Sequence, residues 1–423
     1  MDTKELEKVQ NFKVPTSQTK PECNNKIGFL RSTRKNIGAF LEYLWELSAS
    51  IRFYKSDAAI VLGKEKHTGQ SLTTFYMGHY ENFAFIFGEM YSEFEVKEKH
   101  KNINSLYTNA WFNKYKDSVD LLFADVELLF CKMLPRKEFI QIPQWIRQRF
   151  EVPDTWEGVL DRFRKNTKKT DMRKVRKYGF IFRITKSEED FKTFYHQMYI
   201  PYIKKRFGDG ALIEPEAKFM RQCRKGELMQ IIRGEEVVAC VLLHNLAGRL
   251  AYVWVGVPDD IKAEMFDGAF SALYYFTIMY GYEHGCHEID FLGSRPLLND
   301  GLFRYKRKWG TNVHKSPNPW GDILLKPLNF TGPLRSFFAN NHFITRKGKG
   351  LAAKIFFDKH KMTAKELEDM VEYYFTEGLQ CIKIFSLHGF DDDAKVWEQT
   401  KASQVKLFDL SESSNPAETF CRL

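Results

Sequence analysis

Four cations, Arg304, Lys306, Arg307 and Lys308, close a stretch that opens on the carboxylates Glu288 and Asp290. The stretch reads as a short buried strand, Ile289–Leu292, ending at Gly293, then a turn-rich loop and a helix of one to two turns stopped by Gly310. A strand that delivers its last residues into a Gly/Asn/Asp loop beside clustered cations is a common way to build a site for an anionic ligand. Arg304 and Lys308 stand four residues apart on one helical side, and either could hold a phosphate or a carboxylate. Asp290, at the strand end, could orient an amine or simply cap the turn after it. The competing account makes Phe291, Phe303 and Trp309 core and the cations a solvated face.

Other groups invite the same question. Between Arg162 and Lys177 nearly every charge is positive, and Asp171 is the only acid within that segment. Self-repulsion of this kind is relieved by a polyanion, with Arg164, Lys168, Arg173 and Lys177 as the contacts, although charge runs are often plain solvated helix. Tyr252 and Trp254 alternate on one strand and could line a channel for an apolar chain, with core packing as the rival reading. His284, Cys286 and His287 have no fourth partner at a usual spacing, so no metal site is expected. Gly63–Ser71 imitates a phosphate-binding loop but lacks the lysine before the serine, which makes it a turn.

The elements that must position these groups follow from the whole chain. Its 423 residues exceed one ordinary domain, and 43% hydrophobic content is enough for a sizeable core. A net charge of +10 suits nucleic acid, an anionic membrane surface or phosphorylated ligands. Seven scattered cysteines with no CxxC pair point to reduced thiols and a cytoplasmic location. The N-terminus carries no apolar leader, and the most apolar window, Gly268–Tyr282, is shorter than a membrane span, so a soluble chain with at most peripheral membrane contact is expected.

Residues 1–26 read as a flexible tail. Residues 27–153 read as an N-terminal α+β domain, with a helix over Phe40–Arg52, strands at Ala58–Leu62, Ser71–Gly78 and Asn82–Gly88, a helix over Asn102–Lys116 and a strand or strand pair over Leu121–Met133. From Trp156 the order is β-α-α-β-β-β-α-β-α-β-β, with basic helices ahead of the first strand. Strands fall at Phe180–Ile184, Glu227–Arg233, Val237–Asn245 and Leu250–Val257. A long helix runs from Gly268 to Gly285, and Asn312–Lys315 with Ile323–Lys326 is expected to close the sheet. Residues 329–423 read as a small α+β appendage with a capped helix at Thr363–Gly378, a strand at Gln380–Leu387 and a disordered last dozen residues.

Three pieces of residues 154–328 resemble the GNAT acyltransferase fold, and within it the branch of Fem-type aminoacyl transferases and envelope-associated acetyltransferases. They are the basic run Arg164–Gly179, the hairpin Leu228–Leu243, and Asp290-Phe-Leu-Gly293 followed by Gly301-Leu-Phe-Arg-Tyr-Lys-Arg-Lys-Trp-Gly310. The resemblance implies a mixed, mostly antiparallel sheet flanked by helices, with residues 27–153 a degenerate first copy. It implies transfer of an acyl group from acyl-CoA to an amine on a cell-envelope, glycan or small-molecule acceptor, without a metal. Lys306 aligns with the family's lysine and is expected to stabilise charge, with Asp290 and Tyr252 beside it. Gly268 and Ala269 at the helix start, together with Arg304, Lys308 and Trp254, are the expected cofactor contacts. The chain departs from the pattern where many members carry a glycine-rich pyrophosphate loop: Pro258–Phe270 holds acids instead. An aminoacyl-tRNA donor, or a non-catalytic polyanion binder of the same fold, therefore stays open.

Overall fold

The computed structural model describes residues 55–78, 80–125, 133–207, 213–316, 321–401 and 404–423. The expected tail and the helix at Phe40–Arg52 lie outside them. Two sheets repeat one pairing pattern. In the first, β1 (Lys55–Glu65) and β2 (Ser71–Gly78) form an antiparallel hairpin, and β4 (Leu121–Asp125) runs parallel to β2. Then β13 (Asp322–Pro327) and β5 (Ile140–Pro143) follow antiparallel, while β3 (Tyr91–Asn104) flanks β1. In the second, β7 (Ile181–Thr185), β8 (Glu227–Arg233), β9 (Glu236–Leu246) and β10 (Arg249–Gly256) make an antiparallel meander. Beyond it β11 (Glu288–Ser294) runs parallel to β10, and β6 (Ile146–Glu151) and β12 (Asn312–Lys315) follow antiparallel.

In both sheets, therefore, a hairpin leads to a parallel pair and then to two antiparallel strands, as the GNAT resemblance with a first copy implies. The strand in the last-but-one place is exchanged. β6 leaves the first half to sit between β11 and β12, and β13 leaves the second half to sit between β4 and β5. The expectation that Ile323–Lys326 closes the second sheet is thus corrected. Only Gln144 and Trp145 separate β5 from β6, and across them the chain passes from one sheet to the other. Local hydrophobic pattern cannot distinguish a strand that pairs at home from one that pairs next door.

The helices are α1 (Tyr80–Met90), α2 (Thr108–Tyr115), α3 (Trp156–Arg162), α4 (Met172–Lys177), α5 (Glu188–Thr193), α6 (Ile200–Phe207), α7 (Glu216–Cys223), α8 (Ala263–Glu283), α9 (Gly301–Lys308), α10 (Gly332–Asn340), α11 (Ala364–Tyr374), α12 (Asp392–Thr400) and α13 (Pro416–Arg422). Helix α8 covers one face of the second sheet through Leu273 and Ile278, while α5 and α7 cover the other through Phe191 and Phe219. Asn82–Gly88 is helix, not strand. Phe83 and Phe87, one turn apart, stack at 4.2 Å, and Phe85 faces the Arg295 guanidinium at 4.5 Å. Aromatics at period two satisfied both readings. The expected helix at Asn102–Lys116 also shifts: β3 continues to Asn104, and α2 starts at Thr108.

The C-terminal residues make a third sheet, β14 (Phe343–Lys347), β15 (Gly350–Phe357), β16 (Leu379–Ser386) and β17 (Val405–Asp409), with α11 and α12 as crossovers between parallel strands. It is built into the molecule rather than hung from it. Ile344 and Ile355 share a core with Ile146 and Phe303, and Phe356 and Phe385 share another with Tyr76 and Phe337. The last dozen residues, expected to be disordered, are ordered and carry α13. Phe420 is 1% exposed and packs on Phe338, Phe356 and Phe385, and its carbonyl accepts from the buried Lys354 ammonium. Emptying that position, Phe420→Ala, should lower stability by about 3–5 kcal/mol. An unchanged urea midpoint would show that α13 is not part of the core.

Candidate functional site

Strands β10 and β11 pair through only three residues, Arg249–Ala251 against Glu288–Asp290, after which each follows a different neighbour. The parting has a local cause. Leu292 lies in the left-handed region (φ 60°), and its amide donates to Asp290 Oδ1 at 2.8 Å, so the carboxylate clamps a kink into β11. A non-glycine residue held there costs on the order of 1 kcal/mol or more. Asp290 also faces Arg147 and Arg149, each at 3.4 Å. The kink presents the Gly293 carbonyl to Lys306 Nζ, which donates to it at 2.7 Å.

Helix α9 sends its cations in separate directions. Asp300 caps it, accepting from the Phe303 amide at 2.7 Å. Gly310 ends it with φ 82°, where a Cβ would strike the Arg162 carbonyl at 2.6 Å. Between these stops, Lys306 (4% exposed) turns to β11, and Arg307 (5% exposed) turns to the Tyr374 carbonyl of α11 at 3.3 Å. Lys308 turns to Asp171 at 2.7 Å, and Arg304 stays exposed beside the Tyr373 ring. Burial pushes the Lys306 ammonium down to about 7, against the pull of Asp290 and Asp300 and with the push of Arg206 and Arg147. Burial, reinforced by Arg164, lowers Arg307 to about 10.

Around the parting of the strands stand phenols. The Tyr252 hydroxyl is buried without a hydrogen-bond partner among the described residues. Burial and the nearby Tyr274, Tyr202 and Tyr305 hold its pKa far above the usual phenol value. Tyr252 packs on Tyr274 (5.2 Å) and Phe291 (5.4 Å), and Tyr305 packs on Tyr274 at 5.1 Å. The structure thus sets Lys306 beside the kink that Asp290 clamps, while Tyr252 stands among the rings of Tyr274 and Phe291.

Other expected contacts fall elsewhere. A register shift between Tyr252 and Trp254 turns Trp254 to the opposite face, where it stacks on Phe219 at 4.5 Å. Helix α8 begins at Ala263, so Gly268 and Ala269 are interior residues whose amides are committed to the helix. A Cβ on Gly268 would meet the Tyr178 ring at 2.9 Å, so this glycine admits a ring rather than a phosphate. The basic run divides. Arg164 joins Arg304 and Lys308 around one cavity, Lys168 pairs with Asp161 at 3.1 Å, and Arg173 and Lys177 stay exposed.

Two residues had no distinguishing signal in the sequence. Asp171, read there as a lone acid, is buried and accepts from both Lys308 Nζ and Ser271 Oγ at 2.7 Å, joining α9 to α8. Arg147 arrives on the exchanged strand β6, and only strand pairing reveals it.

No family model matches the chain, and no curated protein matches it in sequence. Solved structures with a similar arrangement include FemX, at 13% identity over 64% of this chain and 84% of that one, with a TM-score of 0.35. L-PGS from Bacillus licheniformis shares 10% identity over 64% and 85%, with a TM-score of 0.32. A GCN5-related N-acetyltransferase from Sphaerobacter thermophilus shares 10% over 60% and 71%, with a TM-score of 0.26. Strand order and register, rather than these distant likenesses, carry the fold assignment. Among the described residues no helix is long and apolar enough to cross a membrane.

The depressed Lys306 pKa sets a sign for stability against pH. In the unfolded chain the lysine holds its proton to about pH 10.4, while the folded protein releases it near 7, so the buried charge penalises the folded state most below pH 7. From pH 7 to 10 the wild type should therefore gain on Lys306→Met by up to about 1.4 kcal/mol per pH unit. Urea titrations of both proteins measure the difference, from which the contribution of the similarly buried Lys354 cancels. A flat difference would mean that Lys306 keeps an ordinary pKa.

Proposed function

We propose that the chain is a transferase moving an acyl or aminoacyl group from an activated donor to an amine, with Lys306 at the reacting centre. The observation that carries this reading is the buried Lys306 ammonium, held on the Gly293 carbonyl where parallel strands β10 and β11 part. In the reaction the amine nitrogen bonds to the donor carbonyl carbon, and the carbon–sulfur or carbon–oxygen bond to the leaving group breaks. The amine loses a proton and the leaving group gains one. Protonated Lys306 lies where it can donate to the oxyanion that develops between these events, in a site dry enough to make that bond count. Asp290 acts through the strand kink as a positioning residue, and the unpartnered Tyr252 hydroxyl offers a donor to the carbonyl side.

An acyl-CoA donor is the first reading, since it is the commoner chemistry of the resembled fold. The acceptor would be an amine of an envelope or glycan precursor, used in the cytoplasm. Charged tRNA is the second reading. It is favoured by the interior position of Gly268 and Ala269, which removes the expected pyrophosphate contacts, and by the cations gathered around Arg164, Arg304 and Lys308.

The test supplies labelled acetyl-CoA and, separately, charged tRNA with a panel of amines. Lys306→Ala should lower kcat/KM by about 100-fold or more while circular dichroism stays unchanged. A variant that transfers as well as the wild type would overturn the assignment of Lys306. Salt-dependent polyanion binding without transfer from either donor, and undiminished in Lys306→Ala, would replace the enzyme reading with a non-catalytic one.

A further inference from the structure

A cavity of about 820 Å³ lies between α9, the Arg164–Asn166 segment and α11 of the third sheet. Its charged walls are Arg164, Lys165, Arg304, Arg307 and Lys308, against the single carboxylate of Glu372. Asp171 neutralises Lys308. The other four cations have no carboxylate within 4.0 Å among the described residues. Four positive charges facing one negative leave the walls at about three charges in excess.

The arginines are fixed in place without being used up. Arg307 donates through Nη1 to the Tyr374 carbonyl, and Arg164 donates through Nη2 to the Phe375 carbonyl, each at 3.3 Å. These carbonyls lie at the C-terminal end of α11, whose partial negative charge suits them to hold a cation. Capping that helix is the purely structural role for the pair. It engages one of the five N–H donors that each guanidinium carries, and Arg307 Nε, in a side chain only 5% exposed, has no acceptor among the described residues. Burying a guanidinium beside a second arginine, with donors to spare, is costly unless an anion comes to it.

Size and shape narrow the anion. The cavity is of the size that holds a small organic ligand. Tyr373, 42% exposed, lines it with Arg304 and Arg307 at 5.7 and 5.5 Å from its ring, a platform on which a planar ring could stack. A polymer backbone crossing the surface would meet exposed Lys165 and Arg304 but would have no need of buried Arg307. We propose that this cavity binds the diphosphate group of a nucleotide-sized small molecule, with Arg307 and Arg164 as the deep contacts, Lys165 and Arg304 at the rim, and Tyr373 under the ring. The site goes beyond the transfer reading: it shares Arg164, Arg304 and Lys308 with the charged-tRNA alternative, which the RNA comparator below tests, and it does not involve Lys306, which is not in its walls.

Isothermal titration of the full chain with ADP as the probe, with inorganic pyrophosphate and a short single-stranded RNA as comparators, tests the site. Saturable ADP binding is expected, weakened about tenfold by Arg304→Ala and by Lys165→Ala, and tightened by Glu372→Gln. The rim variants alter exposed residues and keep the test valid should Arg307→Met fail to fold. Pyrophosphate binding weaker than ADP, with the deficit matched by Tyr373→Ala, would support the ring platform. Absence of saturable ADP binding at millimolar concentration would overturn the proposal. So would RNA binding that ADP fails to displace, which would make the cations a polyanion surface. Because binding is read without an acceptor, failure here leaves the transfer reading intact, and loss of transfer in Lys306→Ala leaves this one intact.

Discussion

The exchange of two strands between the sheets is the constraint on which the rest depends. β6 is bounded on both sides by strands of the second sheet, so its ladder cannot form until β11 and β12 are in place, and β13 imposes the same condition on the first. Neither sheet is complete from its own half. Gln148 shows how tightly the guest strand is held: fully buried, it donates to the Phe303 carbonyl and Thr311 Oγ1 and accepts from Ser294 Oγ. One amide side chain thus joins β6, β11, α9 and the segment just past α9, with each of its polar atoms engaged.

The placement of α9 follows from that anchorage. An eight-residue helix with four cations and no acid has little reason to be stable alone. It persists because each cation meets a different partner on a different side: a strand carbonyl for Lys306, a helix end for Arg307, a buried carboxylate for Lys308 and an aromatic ring for Arg304. The kink at Leu292 belongs to the same arrangement. Strain in β11, clamped by Asp290, is tolerated where β6 and α9 over-determine the backbone around it.

Much of the second half was legible in the sequence because its signals are local. The meander from Glu227 to Gly256 declared itself through Gly234 and the Ala247-Gly248 turn, and α9 through Gly310. The first half was harder. Phe83, Phe85 and Phe87 fit a strand and a helix equally, and packing of Phe83 on Phe87 decided between them. Tyr252 and Trp254 obeyed the two-residue period, yet a single register shift in β10 sent them to opposite faces. The start of α8 was placed five residues late because Gly268 looked like an opening residue, whereas its missing side chain makes room for Tyr178.

The sequence by itself determined the types and spacing that matter within one element: the acid of β11, which lies inside the strand and not at the end expected for it, the four cations of α9 and the order of strands that frames them. Period, caps and turn residues act over a few positions, and they can be read there. Tertiary structure alone decided which strands change sheets, which cation is buried against β11, and that α11, far downstream, walls a cavity with Arg164 and Arg307. Those outcomes depend on long-range pairing and on which charge can be buried with a partner. Both are properties of the assembled chain, and no local pattern encodes them.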